Sequence, residues 1–167
     1  KNANFILFCA DPRNNKIGNK LICKSEDSKI FNNFNEIDEK KYHEILIQNT
    51  VPLSHFDLVE NKSLLLENNF ENLNSISWDK GCYVGQELTA RMKYRALLKK
   101  RIYSLVVKAG SPKADQTIKV DGIDYGKIIS IENKSILAML KIELAEKKIY
   151  EKKQMKTSDG LVFDFIA

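Results

Sequence analysis

The stretch Lys80-Gly-Cys-Tyr-Val-Gly-Gln-Glu-Leu-Thr-Ala-Arg-Met-Lys-Tyr-Arg95 concentrates most of the chemistry of this chain. Gly81 and Gly85 bracket Cys82, and glycine accepts backbone angles that other residues resist. Good helix formers follow from Gln86 to Lys93, which predicts a helix over 84–94. Leu88 and Met92 stand one turn apart and are expected on one face. Glu87 and Arg91 are placed in the favourable order for an ion pair, with Arg95 a turn further on. Cys82 is thereby expected at or just before a helix N-terminus, beside Lys80. The positive helix end and a neighbouring ammonium both favour thiolate over thiol. The alternative is a small buried hydrophobe, since free cysteine is among the most buried residue types.

Downstream of this helix the pattern becomes β. Arg101–Lys108 suits a strand, and Val120-Asp-Gly-Ile123 is a two-residue hairpin signal. Strands are expected over 126–131, 135–144 and 161–166, the last entered by the Ser158-Asp-Gly160 turn. The charged run 146–156 reads as an exposed hairpin face. Short strands at this spacing predict a small antiparallel barrel. Upstream, 4–9 and 17–24 read as strands joined by the Asp-Pro-Arg-Asn-Asn turn. Residues 38–48 read as a short helix, with Tyr42, Ile45 and Leu46 at helical spacing, and Pro52 forbids its continuation. Residues 57–73 satisfy neither pattern, because leucines favouring a helix alternate with asparagines favouring loop. The fold class is therefore α+β, divided near Ala96.

The chain has 167 residues, 43% hydrophobic and 29% charged, which suits one domain or two small ones and argues against disorder. Its three cysteines include no CxxC, so neither a disulfide framework nor a zinc site is indicated, and no metal ligand set is assigned. His43 and His55 have no metal-ligand spacing and are read as surface or cap residues. No apolar run approaches the ~20 residues of a membrane span. A reducing, cytoplasmic setting is the expectation. Of the net charge of +5, the window from Lys80 to Arg101 alone contributes +6, with seven basic residues against Glu87. That window is either a solvated strand edge or an anion-attracting face. Tyr83 and Tyr94 add aromatic surfaces for stacking. Without regular basic–aromatic interleaving, direct contact with tRNA is the weaker option.

The 80–95 segment resembles the signature of the YgfZ-type folate-binding proteins, relatives of the glycine-cleavage T-protein (aminomethyltransferase). The match is dense over sixteen residues: the motif's Lys-Gly falls on Lys80 and Gly81, and its cysteine on Cys82. Its Gly-Gln-Glu and arginine fall on Gly85, Gln86, Glu87 and Arg91. Weaker echoes are Asp11-Pro12-Arg13 with Ile17-Gly18 and Lys20, then Val51-Pro52 with Asp57-Leu58, and Asn74–Trp78 leading into the motif. Two positions depart from the pattern: Thr50 and Ala96 stand where the family usually has glycine. A positive φ required at either would be strained.

The resemblance implies a tetrahydrofolate-binding accessory protein that supports iron–sulfur cluster assembly or repair and, through it, tRNA modification. Under it, residues 1–95 are the remainder of a partial α/β folate-binding-type domain, and 96–167 are the C-terminal β-barrel. The chain then looks like the C-terminal portion of a longer fold, with an N-terminal half as one partner and iron–sulfur proteins or assembly machinery as others. Cys82 is the expected reactive or cluster-contacting thiol. Lys80, Gly81, Tyr83, Gly85, Gln86, Glu87, Arg91, Tyr94 and Arg95 are the expected cofactor-binding or loop-bracing set. One cysteine cannot hold a cluster by itself, so any cluster contact is transient. The competing functions are T-protein-like one-carbon transfer to tetrahydrofolate and a non-catalytic interaction module or remnant. The cysteine-centred form of the motif argues against the transferase.

Overall fold

The computed structural model describes residues 5–82, 84–95 and 97–166, so Tyr83 and the boundary residue Ala96 lie outside the described residues. The chain opens with an antiparallel hairpin, β1 (Phe5–Ala10) and β2 (Asn19–Cys23), closed by the Asp11–Gly18 turn. A run of 3-10 turns follows over Ser25–Asn33. Helix α1 (Glu39–Gln48) comes next, then the single turn α2 (Ser54–Asp57), and α3 (Gln86–Tyr94). Residues 58–75 form consecutive turns instead of a helix, many closed by backbone hydrogen bonds. The asparagines account for this: Asn61, Asn69 and Asn74 all take positive φ, a region that asparagine enters at low cost.

Downstream lie β3 (Lys100–Ala109), β4 (Thr117–Val120), β5 (Ile123–Glu132), β6 (Ser135–Lys141), helix α4 (Ile142–Tyr150), β7 (Met155–Lys156) and β8 (Val162–Phe165). Among the described residues, these strands form a six-stranded sheet in the order β4-β5-β6-β3-β8-β7, antiparallel throughout. Ile118 and Val120 of one edge strand and Met155 of the other enter one core with Leu105, Ile128, Leu140 and Phe163. The sheet therefore curls until its edges share an interior, the barrel-like form expected from strand spacing. Asp121 (φ 53°) and Gly122 (φ 77°) both take the positive angles of a type I′ hairpin. Gly126 is irreplaceable in a different way: a Cβ there would stand 2.0 Å from the Met139 carbonyl oxygen.

Residues 142–150 correct the sequence reading, which extended β6 to residue 144 and made 146–156 a hairpin face. Ile142 and Leu144 continue the apolar pattern of β6, so alternation alone cannot mark the strand's end. The helix forms because Leu-Ala-Glu-Lys-Lys are strong helix formers and Ala145, wholly buried, lets the helix sit close against the core.

Helix α1 joins the two regions. Asp38 caps it, accepting the Lys41 N–H at 2.6 Å. Ile47 packs against Ile102 and Leu137 on the sheet, while Leu46 packs with Val51 and Leu73 on the upstream side. Its C-terminus closes by a Schellman motif, Thr50 N–H to Ile47 O at 2.9 Å and Val51 N–H to Leu46 O at 2.9 Å. Thr50 occupies the left-handed position at φ 56°, where a β-branched residue is strained. Its hydroxyl donates to Ser104 Oγ at 3.1 Å, and Ser104 in turn donates to the Ile47 carbonyl. The strained residue thus fastens the helix end to β3.

Candidate functional site

Cys82 is solvent-exposed, in a segment without regular structure. That observation disfavours the buried-hydrophobe reading. The helix begins later than the sequence reading placed it. Gly85, at φ 86°, is the residue before its first turn, and no side chain caps it. Cys82 therefore stands three residues ahead of the cap, in the loop that leads into the helix. Gly85 needs its glycine for the positive φ, whereas Gly81 has open space where a Cβ would go. Lys80 is exposed and Gln86 half-buried, each engaged in an interaction of its own.

The face that α3 buries is Thr89 with Met92, while Leu88, one turn before Met92, is exposed. Glu87 and Arg91 do pair, at 2.5 Å, but along the exposed helix surface. A pair of that kind contributes only about 0.5 kcal/mol, and its geometry braces the helix, not the cysteine loop. Arg95 is exposed just past the helix, its N–H closing back onto Arg91 O at 3.0 Å.

The stronger anchor lies at the other end of α3 and was absent from the sequence reading. Trp78 Nε1 donates to Glu71 at 3.0 Å, and Lys93 pairs with the same carboxylate. The Lys93 ammonium also lies 4.0 Å from the centre of the Trp78 ring, and Tyr94 meets that ring edge-on at 6.0 Å. This knot of Glu71, Trp78, Lys93 and Tyr94 fixes the two ends of the segment carrying Cys82 against each other. Tyr94 remains largely exposed beyond its contact with Trp78, so it has a surface left for a flat ligand.

The +6 window is partly neutralised in space. Lys93 is matched by Glu71 and Lys100 by Glu67 at 3.5 Å, both acids coming from outside the window, and Arg91 by Glu87. The charge count along the chain overstated the field around the motif.

Two further clusters brace the region. The Asp11-Pro-Arg13 echo is an ion pair: Arg13 donates from Nε to Asp11 Oδ1 at 3.0 Å and from a terminal nitrogen to Oδ2 at 2.9 Å. The same terminal nitrogen donates to the Tyr42 hydroxyl of α1 at 3.1 Å. The Arg13 hydrogen bonds hold the Asp11 carboxyl down at about 2, against the opposing effect of burial. These residues edge a polar cleft of about 460 Å³ with Asn14, Asn15, Asn49, Asn69, Asn72 and Asn74, to which the described residues of the 80–95 motif contribute nothing.

The second cluster corrects the surface reading of His43. That residue is buried, its ring stacked on Phe56 at 4.8 Å. Nε2 lies 3.2 Å from both oxygens of buried Asp57, and Nδ1 3.2 Å from Glu132 of β5. Asp57 also accepts the Leu53 N–H at 2.6 Å. The signal in the sequence was position: His43, Leu46 and Ile47 share one helical face. His55 is exposed, as expected, beside Glu39.

As a test of fit to a cluster, no group of three or more His, Cys, Asp or Glu side chains is arranged for a metal among the described residues. Cys82 offers one exposed sulfur, so a cluster fits only as cargo touched at one corner, its other ligands supplied from elsewhere. For a pterin, the exposed face of Tyr94 and the amide of Gln86 are suitable groups; neither residue lines the cleft bounded by Asp11 and Arg13.

No protein-family model matches the chain. The chain is 29% identical over 160 residues to the mitochondrial iron-sulfur cluster assembly factor IBA57 of Mus musculus, covering 92% of this chain and 44% of that protein. It is 33% identical over 97 residues to the Homo sapiens counterpart, covering 58% and 27%. Over 46 residues, 28% of this chain and 14% of the relative, it is 50% identical to the tRNA-modifying protein YgfZ of Sodalis glossinidius. This chain is a relative of the IBA57 and YgfZ proteins. These matches agree with the resemblance read from residues 80–95. The chain spans less than half the length of these relatives. No helix among the described residues is long and apolar enough to cross a membrane.

Proposed function

We propose that this chain belongs to an accessory protein for iron–sulfur cluster assembly or repair, and that Cys82 is its working thiol. The observation that carries the reading is the exposed Cys82 in a glycine-bracketed loop whose flanks are fixed by the Trp78–Lys93–Glu71 knot. The functions named for its relatives support the same reading. Cys82 would contact a cluster or a client's cysteine in passing. Lys80 supplies local positive charge. Gln86 and the exposed ring of Tyr94 would meet the pterin of tetrahydrofolate, with Arg91 and Arg95 toward its glutamate tail. Gly81 and Gly85 shape the loop, Glu87 orients Arg91, and Tyr83 is assigned by the motif alone.

The division into 1–95 and 96–167 belongs to this proposal, as does an N-terminal half completing the first region. So does a cytoplasmic location; the IBA57 relatives carry mitochondrial names. tRNA modification is the downstream effect proposed, through a client iron–sulfur enzyme.

The test is complementation in bacteria lacking their YgfZ-type protein, scored by tRNA methylthiolation, with this chain supplied together with an upstream half. Restored methylthiolation is the expected result. Its absence, with both halves present at normal levels, would contradict the assignment.

A further inference from the structure

Helix α4 ends on an unusual residue. Its last turn closes by Lys152 N–H to Ile149 O at 3.0 Å and Lys153 N–H to Lys148 O at 3.1 Å, the hydrogen-bond pattern of a Schellman motif. The left-handed position of that motif usually belongs to glycine, yet here Lys152 holds it, at φ 51°. The chain then returns to the sheet as β7, which pairs with β8 only at Met155–Phe163 and Lys156–Val162. Asp164, Phe165 and Ile166 run on past the end of β7. A groove of about 330 Å³ is lined by these three residues on one side and by the end of α4 on the other.

Its lining combines open apolar surface with unpaired positive charge. Ile149 is 44% exposed, and Phe165 and Ile166 are half-buried. Lys148 and Lys152 line the same groove and form no ion pair among the described residues. The nearby acids are already matched. Glu151 pairs with Lys153 at 3.1 Å, while Asp164 has Lys108 at 3.7 Å and accepts from Gln154 at 3.1 Å. Residues 147–156 carry five lysines against Glu151 alone, so the field at the groove is positive. Lysines in a helix's last turn complement its dipole, which accounts for Lys147 and Lys148. That effect does not call for a lysine where glycine is less strained, nor for apolar surface left open among the charges. An apolar floor with ammonium groups beside it complements an acidic segment bearing one apolar side chain. A phosphate chain would leave that floor uncovered.

We propose that the groove between α4 and the end of β8 docks an acidic segment of a partner protein, an apolar side chain seated on Ile149, Phe165 and Ile166 and flanking carboxylates paired with Lys148 and Lys152. Cys82 does not line this groove, and the proposal does not depend on the iron–sulfur reading. The probe is a fluorescein-labelled Asp-Glu-Leu-Asp-Glu peptide, titrated with the intact chain and followed by anisotropy. Saturable binding is expected, weakened by salt and about tenfold weaker for an Asn-Gln-Leu-Asn-Gln peptide. Lys152→Gly should weaken binding ~threefold while the melting temperature holds or rises, because glycine relieves the left-handed strain as the charge is lost. Ile149→Ser should weaken it about tenfold. Binding unchanged in both variants would place the peptide elsewhere, such as the basic window 80–101, and overturn the proposal. No saturable binding would overturn it too. So would binding of phosphatidylserine vesicles, but not of the peptide, that is lost in Lys152→Gly, which would make the groove a lipid contact. Self-association abolished by Ile149→Ser in sedimentation would put a second copy in the groove and likewise overturn it.

Discussion

The sheet of residues 100–166 and the region of residues 5–95 are held together by different physics. In the sheet, twelve buried residues from Leu105 to Phe163 form one continuous core, into which both edge strands fold. Upstream, the largest cluster apart from that shared with the sheet is Leu46, Val51 and Leu73. Order there comes instead from individual polar devices: the Asp11–Arg13 pair, the Asp38 cap, His43 between two carboxylates, and the Trp78 knot. The upstream region also leaves apolar side chains open, with Ile6, Phe8 and Phe34 each more than 60% exposed. A self-contained core tolerates the loss of any single hydrogen bond. A region held by separate contacts is altered locally by each one, and that region carries Cys82.

The sharpest way to break the sheet is Phe163→Ala, which should cost about 3–5 kcal/mol. Chemical denaturation should show the loss, with protection falling throughout β3, β5, β6 and β8 together. Upstream, Asp57→Ala leaves His43 Nε2 and the Leu53 N–H without their partner and should cost about 3 kcal/mol. Hydrogen exchange should then accelerate in α1 and α2 while β5 and β6 keep most of their protection. Equal loss everywhere would mean that the two regions unfold as one.

Acid supplies a third contrast. The folded Asp11 carboxyl titrates at about 2, below its ordinary 3.8. Its contribution of at most about 2 kcal/mol is therefore fully present above pH ~4 and lost as pH falls through ~2. Denaturation midpoints measured across that window should fall in the wild type and flatten in Asp11→Asn. At Thr50, glycine removes strain of about 1 kcal/mol but forfeits a hydrogen bond of similar worth. Thr50→Gly should be near neutral in the wild type and stabilising by about 1 kcal/mol in a Ser104→Ala background, as a double-mutant cycle would measure. The smallest effect belongs to Glu87→Ala, at most about 0.5 kcal/mol in thermal melts, since its partner Arg91 is exposed.

Local signals were legible in the sequence. Asp121-Gly122 demanded its turn, Asp38 its helix, and the glycine at position 85 its unusual backbone. The expected strain at Thr50 is present because the helix end needs a left-handed residue whatever the side chain. What local pattern could not carry was pairing across distance. Glu71 and Glu67 fold back onto the basic window, and Glu132 reaches His43 from β5, far along the chain. Helix α4 was hidden because its first apolar residues continue the β6 alternation. At the motif, the exposure of Cys82 and the surface course of the Glu87–Arg91 pair depend on where α3 begins, a matter of three residues at a glycine.

The central claim is that Cys82 acts and does not pack. Cys82→Ala, measured for thermal melting and for rescue of tRNA methylthiolation beside the wild type, tests it most directly. The account predicts an unchanged melting temperature with rescue lost. A lowered melting temperature, or rescue equal to the wild type, would contradict it.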